Sequence, residues 1–191
     1  MTKINNLHDK EGMIMAKETI TDIIERRSIR KYKAEQIKDE ELDMILQAGI
    51  YSASGMNKQP VTIVAVQDKE TRDELEKLNK KSVGMPDDAA PFYGAPTVLV
   101  VLYDPELSPT AFYDGVLVMG NLMNAAHAID VDSCWIHRAK ETFEMQEGKE
   151  LLKKWGLKET LVGVGNCILG YRDCEYPPKP AKREDMVVYV K

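Results

Sequence analysis

The sequence predicts an α+β domain, a mixed sheet with helices against it, and three observations point there. Short β-branched or apolar runs at Val61–Val66, Thr97–Tyr103 and 161–169, each bounded by turn-forming residues, have the pattern of strands. Other stretches repeat apolar residues every three or four positions, the period of a helix with one buried face. The two kinds are interspersed without strict strand–helix alternation, which sets the chain apart from a doubly wound parallel fold. A length of 191 residues suits one domain, and neither an internal repeat nor an inter-domain linker is visible.

Residues 1–17 are polar and unpatterned and are taken as a loose N-terminal arm, leaving 18–191 as the domain. Thr19 is a plausible N-cap for a first helix with Ile20, Ile23 and Ile24 as its stripe, ending around 26–28. A second helix, Asp39–Ile50, opens on acidic residues that suit its dipole and turns Leu42, Ile45 and Leu46 inward. After the strand Val61–Val66 comes a charged surface helix, Lys69–Lys81, with Leu75 and Leu78 as its narrow apolar edge. Pro86, Pro91, Gly94 and Pro96 mark a loop, and Thr97–Tyr103 (TVLVVLY), apolar on both faces, is a central strand. The helix predicted over 112–129 is apolar nearly all round, so a partner subunit is expected to cover it, the alternative being a helix enclosed within the monomer. A short strand at 133–137, an amphipathic helix over 143–155 closed by Gly156, and the strand 161–169 follow. A proline-rich stretch at 176–180 leads to a final short strand at 186–190.

Composition narrows the function. A 43% hydrophobic content supports a real core, and a net charge of −5 argues against general nucleic-acid binding. No apolar run is long enough to span a membrane and no signal peptide is visible. Cys134, Cys167 and Cys174 show no CxxC spacing, and His8, His127 and His137 do not pair at metal-ligand spacing, so neither a disulfide framework nor a metal site is expected and a reducing cytoplasm is the economical location. There is no phosphate-binding GxxxxGK[ST], no GxSxG and no HExxH. Gly163 and Gly165 lie inside a strand pattern with no helix opening after them, which excludes a dinucleotide-binding turn.

Three segments can carry chemistry. RRSIRK at 26–31 gathers Arg26, Arg27, Ser28, Arg30 and Lys31 where a helix gives way to extended chain, a ready anion site because guanidinium forks match phosphate oxygens. The competing interpretation is a solvated basic helix end. SASGMNKQP at 52–60 offers small residues for close approach and Ser, Asn and Gln for hydrogen bonds, or is simply a turn. His137 and Arg138 close a strand, where a structural role outweighs acid–base work for a histidine without a partner.

These residues also resemble a known family. RRSIRKY at 26–32 looks like the N-terminal signature of the nitroreductase, or FMN-dependent oxidoreductase, family, and SASGMNKQP at 52–60 is similar to its second signature. GAPTVLVV at 94–101, DSCWIHR at 132–138, and ILGY with KPAKRED at 179–185 resemble further family segments in order. The resemblance implies a largely antiparallel central sheet flanked by helices, in an intertwined homodimer that binds FMN and takes hydride from NADH or NADPH. It implies that Arg26 and Ser28 hold the FMN phosphate with Arg27 beside them, and that Arg30 reaches the pyrimidine edge of the flavin. Lys182 and Arg183 would complete the phosphate clamp, Ala53, Ser54, Met56 and Asn57 would come from the other subunit, and Trp135, Ile136 and His137 would pass the ring. No catalytic side chain is implied, because the flavin carries the chemistry. Ala53 stands where the family has a proline, Val61 where it often has a tryptophan, and His137 in place of a glycine, while the family's mid-chain flavin contact has no clear counterpart between Leu75 and Pro96. The expected reaction passes hydride through flavin to an electron-poor acceptor such as a nitroaromatic or quinone. The alternatives are another flavin reaction on this fold, reductive dehalogenation or ring reduction, and an FMN-binding module without catalysis.

Overall fold

The computed structural model describes residues 18–191, so the expectation for the arm 1–17 lies outside the described residues. Four strands, β1 (Val61–Val66), β2 (Thr97–Tyr103), β3 (Asp132–Ile136) and β4 (Val162–Gly170), form one antiparallel sheet in the order β1-β2-β4-β3. β2 lies inside the sheet, as its two-sided apolar run predicts, and successive residues serve opposite cores. Val98, Val100 and Leu102 face a core closed by Leu75 and Leu78 of α3 (Lys69–Lys81), Phe143 of α5 (Ala139–Glu144) and Leu151 and Leu152 of α6 (Gln146–Lys154). Leu99 and Val101 face a second core closed by Ile45 of α2 (Asp39–Ile50) and Met119 and Leu122 of α4 (Ala111–Ala128). The result is three layers, helix–sheet–helix, with α1 (Glu18–Glu25) at one side against α4.

Two expectations are corrected. The single helix over 143–155 is two, α5 and α6, broken at Met145, whose ψ of 155° is extended. The break lets α6 fold against the end of α5, and Gly148 is what permits it, since a Cβ there would run into the Thr142 carbonyl. The final strand at 186–190 does not form: Glu184–Met186 is a 3₁₀ turn, and Val187 to Val190 pair with nothing among the described residues. A strand needs a neighbouring strand to hydrogen-bond with, and within this one chain the stretch has none.

Helix α4 is only half covered. Its inner face, Gly115, Val118, Met119, Leu122 and Ala126, is buried, while Phe112, Tyr113 and Leu117 are exposed. Other exposed apolar residues are Ile20 and Ile23 of α1, Ile50 at the end of α2 and Tyr51 after it, Met56, and the tail residues Val188 and Val190.

Candidate functional site

The basic segment runs out of α1 as extended chain along the free edge of β3. Ile29 N–H donates to Ser133 O at 3.1 Å, and a parallel bridge joins Ser28 to Ser133. Beyond it, Tyr32 bridges Arg172 and Lys33 N–H donates to Tyr171 O, pinning the segment across the end of β4. Alternation in extended chain puts Ile29 into the core and leaves residues 26, 28 and 30 on the other side. All three act on one neighbour: burial pushes the Cys134 thiol up, against the pull of Arg30, Ser28 and Arg26. Arg26 carries the telling feature, an Nη1 that is buried without any hydrogen-bond partner. A buried cationic donor left unpaired is costly, and an anion such as a phosphate would relieve that cost.

Arg27 is bonded differently from the rest of the expected cluster. Its Nη1 donates to the carbonyls of Ile24, Glu25 and Arg26 at 3.0, 2.7 and 2.8 Å, and its Nε to Pro178 O at 3.3 Å. These bonds cap the C-terminus of α1 and engage Nη1 and Nε within the chain. Lys182 and Arg183 are exposed, and Arg183 lies 3.5 Å from Asp185.

Trp135 and Ile136 end β3 on opposite faces, and His137 follows, exposed. Gly165 opposite makes room for the indole: a Cβ there would lie 2.5 Å from Trp135 Nε1. The conformation a glycine favours is taken by Arg138, one residue past His137, at φ +79°. Its carbonyl accepts from Thr142 Oγ1 at 2.8 Å, and its guanidinium bonds Glu141 at 2.8 Å. Such a strained turn persists only where its surroundings hold it, and sites of function are where it is found. Within 75–96 the structure singles out Asn79, fully buried on α3, whose Nδ2 donates to His137 O at 2.9 Å while its Oδ1 has no partner. Its one mark in the sequence is an asparagine beside Leu78 on an otherwise apolar helix edge.

The 52–60 loop is held just as deliberately. Met56, Asn57 and Gln59 adopt φ of 52°, 54° and 49°, each costing roughly 1–2 kcal/mol for a residue with a side chain. Ser54 Oγ accepts from Gln59 N–H at 3.1 Å, and Asn57 Oδ1 from the Gln59 amide at 2.8 Å. Asp114, nearly buried on α4, accepts from Gly55 N–H at 3.2 Å and from Thr110 Oγ1 at 3.3 Å. Asp114 was legible as the acid in an otherwise apolar stretch of helix and went unassigned. Ala53, Ser54, Gln59, Asp114 and Val118 line a cleft of about 180 Å³, beside which Met56 stands exposed. A larger cleft of about 450 Å³ lies between α3 and α6, among surface lysines and glutamates away from these residues.

The structure brings Arg26, Ser28, Arg30 and β3 together but not the loop. The loop feeds β1, at one edge of the sheet, while the basic segment lies on β3, at the other edge. It also enters level with Val162 of β4, whereas Ser133 pairs with Leu169 at that strand's far end. Four strand spacings, counting the one from β3 out to the basic segment, and about seven residues of strand separate the two, roughly 19 Å by 24 Å. Burial holds the Cys134 thiol high and pushes Cys167 up to about 12, which disfavours the reactive thiolate form of both. No helix among the described residues is long and apolar enough to cross a membrane.

Comparison with known proteins gives this geometry a context. The model of the nitroreductase family matches residues 23–171. Among solved structures, a nitroreductase with bound FMN from Bacteroides fragilis is similar with a TM-score of 0.85 and 26% identity, covering 92% of this chain and 100% of that one. A nitroreductase with bound FMN from Desulfitobacterium hafniense is similar with a TM-score of 0.82 and 28% identity, covering 93% and 100%. Over 57 residues the chain is 47% identical to an NADPH-flavin oxidoreductase of Vibrio harveyi, a match covering 30% of this chain and 24% of that one.

Proposed function

The chain belongs to the nitroreductase family, and on that footing we propose that it is an FMN-dependent oxidoreductase that passes hydride from NADH or NADPH to an electron-poor small molecule, in the cytoplasm and as a homodimer. The observation that carries the reading is the buried, unpartnered Arg26 Nη1 beside Ser28 on the edge of β3, a cationic donor that an anionic group would satisfy. Two relatives with FMN bound and the same fold support flavin as that group's owner.

When bound, FMN supplies the capacity to accept and return hydride; the chain's residues hold, orient and polarise. Arg26 and Ser28 take the phosphate, with Lys182 and Arg183 closing over it. Arg30 would offer its positive charge to the pyrimidine edge of the flavin, and preorganised charge is worth most where charge appears. Trp135, Ile136 and His137 pass the ring, and the strained turn at Arg138 fixes the direction of the backbone there. No side chain forms a covalent bond, in keeping with thiols that burial keeps protonated.

The second copy completes the site. Ala53, Ser54, Met56 and Asn57 lie on the far corner of their own sheet from Arg26, so they meet a flavin held there only from another chain. The exposed apolar face of α4 and the unpaired Val188 and Val190 support a large interface between copies. The test is the purified protein itself: a flavin absorption spectrum with close to one FMN per chain, bleached by NADH or NADPH and restored by a nitroaromatic or quinone. A protein that ignores FMN refutes the assignment, and one that binds FMN but is not reduced is a binding module instead.

A further inference from the structure

The C-terminal stretch after β4 does not wander: it returns to the end of α1 and is fastened there at several points. Tyr176 OH donates to Glu25 O at 2.8 Å, and Lys179 Nζ to the Glu25 carboxylate at 3.2 Å. The Tyr176 ring stacks on His127 at 6.0 Å and 15°, and the Arg172 guanidinium lies 5.1 Å from its centroid. Arg27 joins the two parts, holding the last carbonyls of α1 through Nη1 and Pro178 O through Nε. Its side chain is only 9% exposed, and its Nη2 lies 3.9 Å from the Glu25 carboxylate.

We infer that Arg27 is the anchor of the C-terminal tail and, through the tail, a positioning residue for the cofactor site rather than a ligand of it. The helix end supplies carbonyls that no intrahelical N–H can satisfy, and a guanidinium with five donors can serve them and still reach a second segment. Lys182 and Arg183 follow Lys179 by three and four residues, a reach of roughly 10–14 Å. Docking at Arg27 therefore holds both cations at high effective concentration near Arg26 and Ser28, the immediate neighbours of the anchor. The second half of this inference rests on the FMN reading; the first half does not.

The two halves are tested on the full chain. Ring current from Tyr176 displaces the ring-proton resonance of His127, one of only three histidines in the sequence. In protein without FMN, Arg27→Ala should return that resonance to its undisplaced position, and Tyr176→Phe, which keeps the ring and removes the Glu25 bond, should do so in part. FMN affinity is then measured by flavin fluorescence in a double-mutant cycle, Arg27→Ala with and without Lys182→Ala/Arg183→Ala. Alone, Arg27→Ala should weaken FMN roughly tenfold or more, the effect of losing charge-assisted contacts. In the Lys182→Ala/Arg183→Ala background it should do little further. An unmoved His127 resonance overturns the anchor, and full additivity overturns the coupling by making Arg27 a direct ligand. A wild-type chain that binds no FMN refutes the functional reading and the coupling together, while the resonance still decides the anchor.

Discussion

Replacing Arg26 with methionine should move stability and affinity in opposite directions. The guanidinium Nη1 is buried and unpartnered, and an unsatisfied buried charged group costs about 1–3 kcal/mol or more relative to one that is paired. Methionine keeps most of the apolar stem and removes the charge, so the protein without FMN should gain about 1–2 kcal/mol, allowing for partial solvation of the original group. For a domain of this size that is a rise in Tm of roughly 2–8 °C. FMN loses a charge-assisted partner for its phosphate, about 1.5–3 kcal/mol, so its Kd should rise roughly 10- to 150-fold. Urea denaturation of flavin-free protein gives the first quantity, and fluorescence titration with FMN the second. A variant less stable than the parent, or one that keeps its FMN affinity within a factor of two, would show that Arg26 is structural and that its orphan nitrogen has another explanation.

Arg30→Ala should lower the flavin reduction potential and slow reduction by NADH or NADPH more than it weakens FMN binding, because a charge at the ring edge favours the reduced, negatively charged form; an unchanged potential removes Arg30 from this role. Gly163→Ala should destabilise the domain by about 2–3 kcal/mol in urea, since the new Cβ meets the backbone of Ala139 and Lys140 (2.7 Å to Lys140 N), which cannot swing away as a side chain could; a neutral result means α5 can slide on β4. The Asp104 carboxylate, bonded to Lys158 Nζ at 2.9 Å and to Glu106 N–H, is held below its ordinary range. A depressed folded pKa contributes stability above the unfolded value of about 3.9, lost as pH falls toward the folded value. Asp104→Asn should therefore flatten the fall in Tm between pH 5 and pH 3, approximately the window of that titration, and an equally steep fall would place the acid sensitivity in other carboxylates.

Some of this was plain in the sequence and some could not be. β2 is legible because a run with six consecutive apolar positions, Val98 to Tyr103, belongs in the middle of a sheet covered on both sides. The half-covered face of α4 is legible for the same reason: Phe112, Tyr113 and Leu117 leave it no polar side to turn outward. The break at Met145 is not, because the apolar spacing runs on through 143–155 and only Gly148 packing onto the Thr142 carbonyl shows that the chain turns. Nor is the tail, since β propensity alone cannot supply a neighbouring strand for Val187 to Val190. In the candidate site, composition could gather Arg26, Arg27, Ser28 and Arg30 but not divide them. The division follows from where α1 stops, one residue before Arg26, which puts Arg27 within reach of three terminal carbonyls. The strain at Arg138 was equally hidden, because a left-handed arginine carries no mark in a string of letters.

The placement of the two half-sites at diagonal corners of one sheet has a genetic consequence. With the site shared between two copies as proposed, a chain crippled at Arg26 and a chain crippled at Ser54 and Asn57 should each be inactive as pure dimers. Coexpressed, they form mixed dimers in which one site collects both defects and the other collects neither, because each chain lends its sound half to its companion. Random pairing makes half of all dimers mixed, so two dead alleles together should restore roughly a quarter of the parental activity. Two lesions on one side of the arrangement, Arg26 in one allele and Ser28 in the other, should restore nothing.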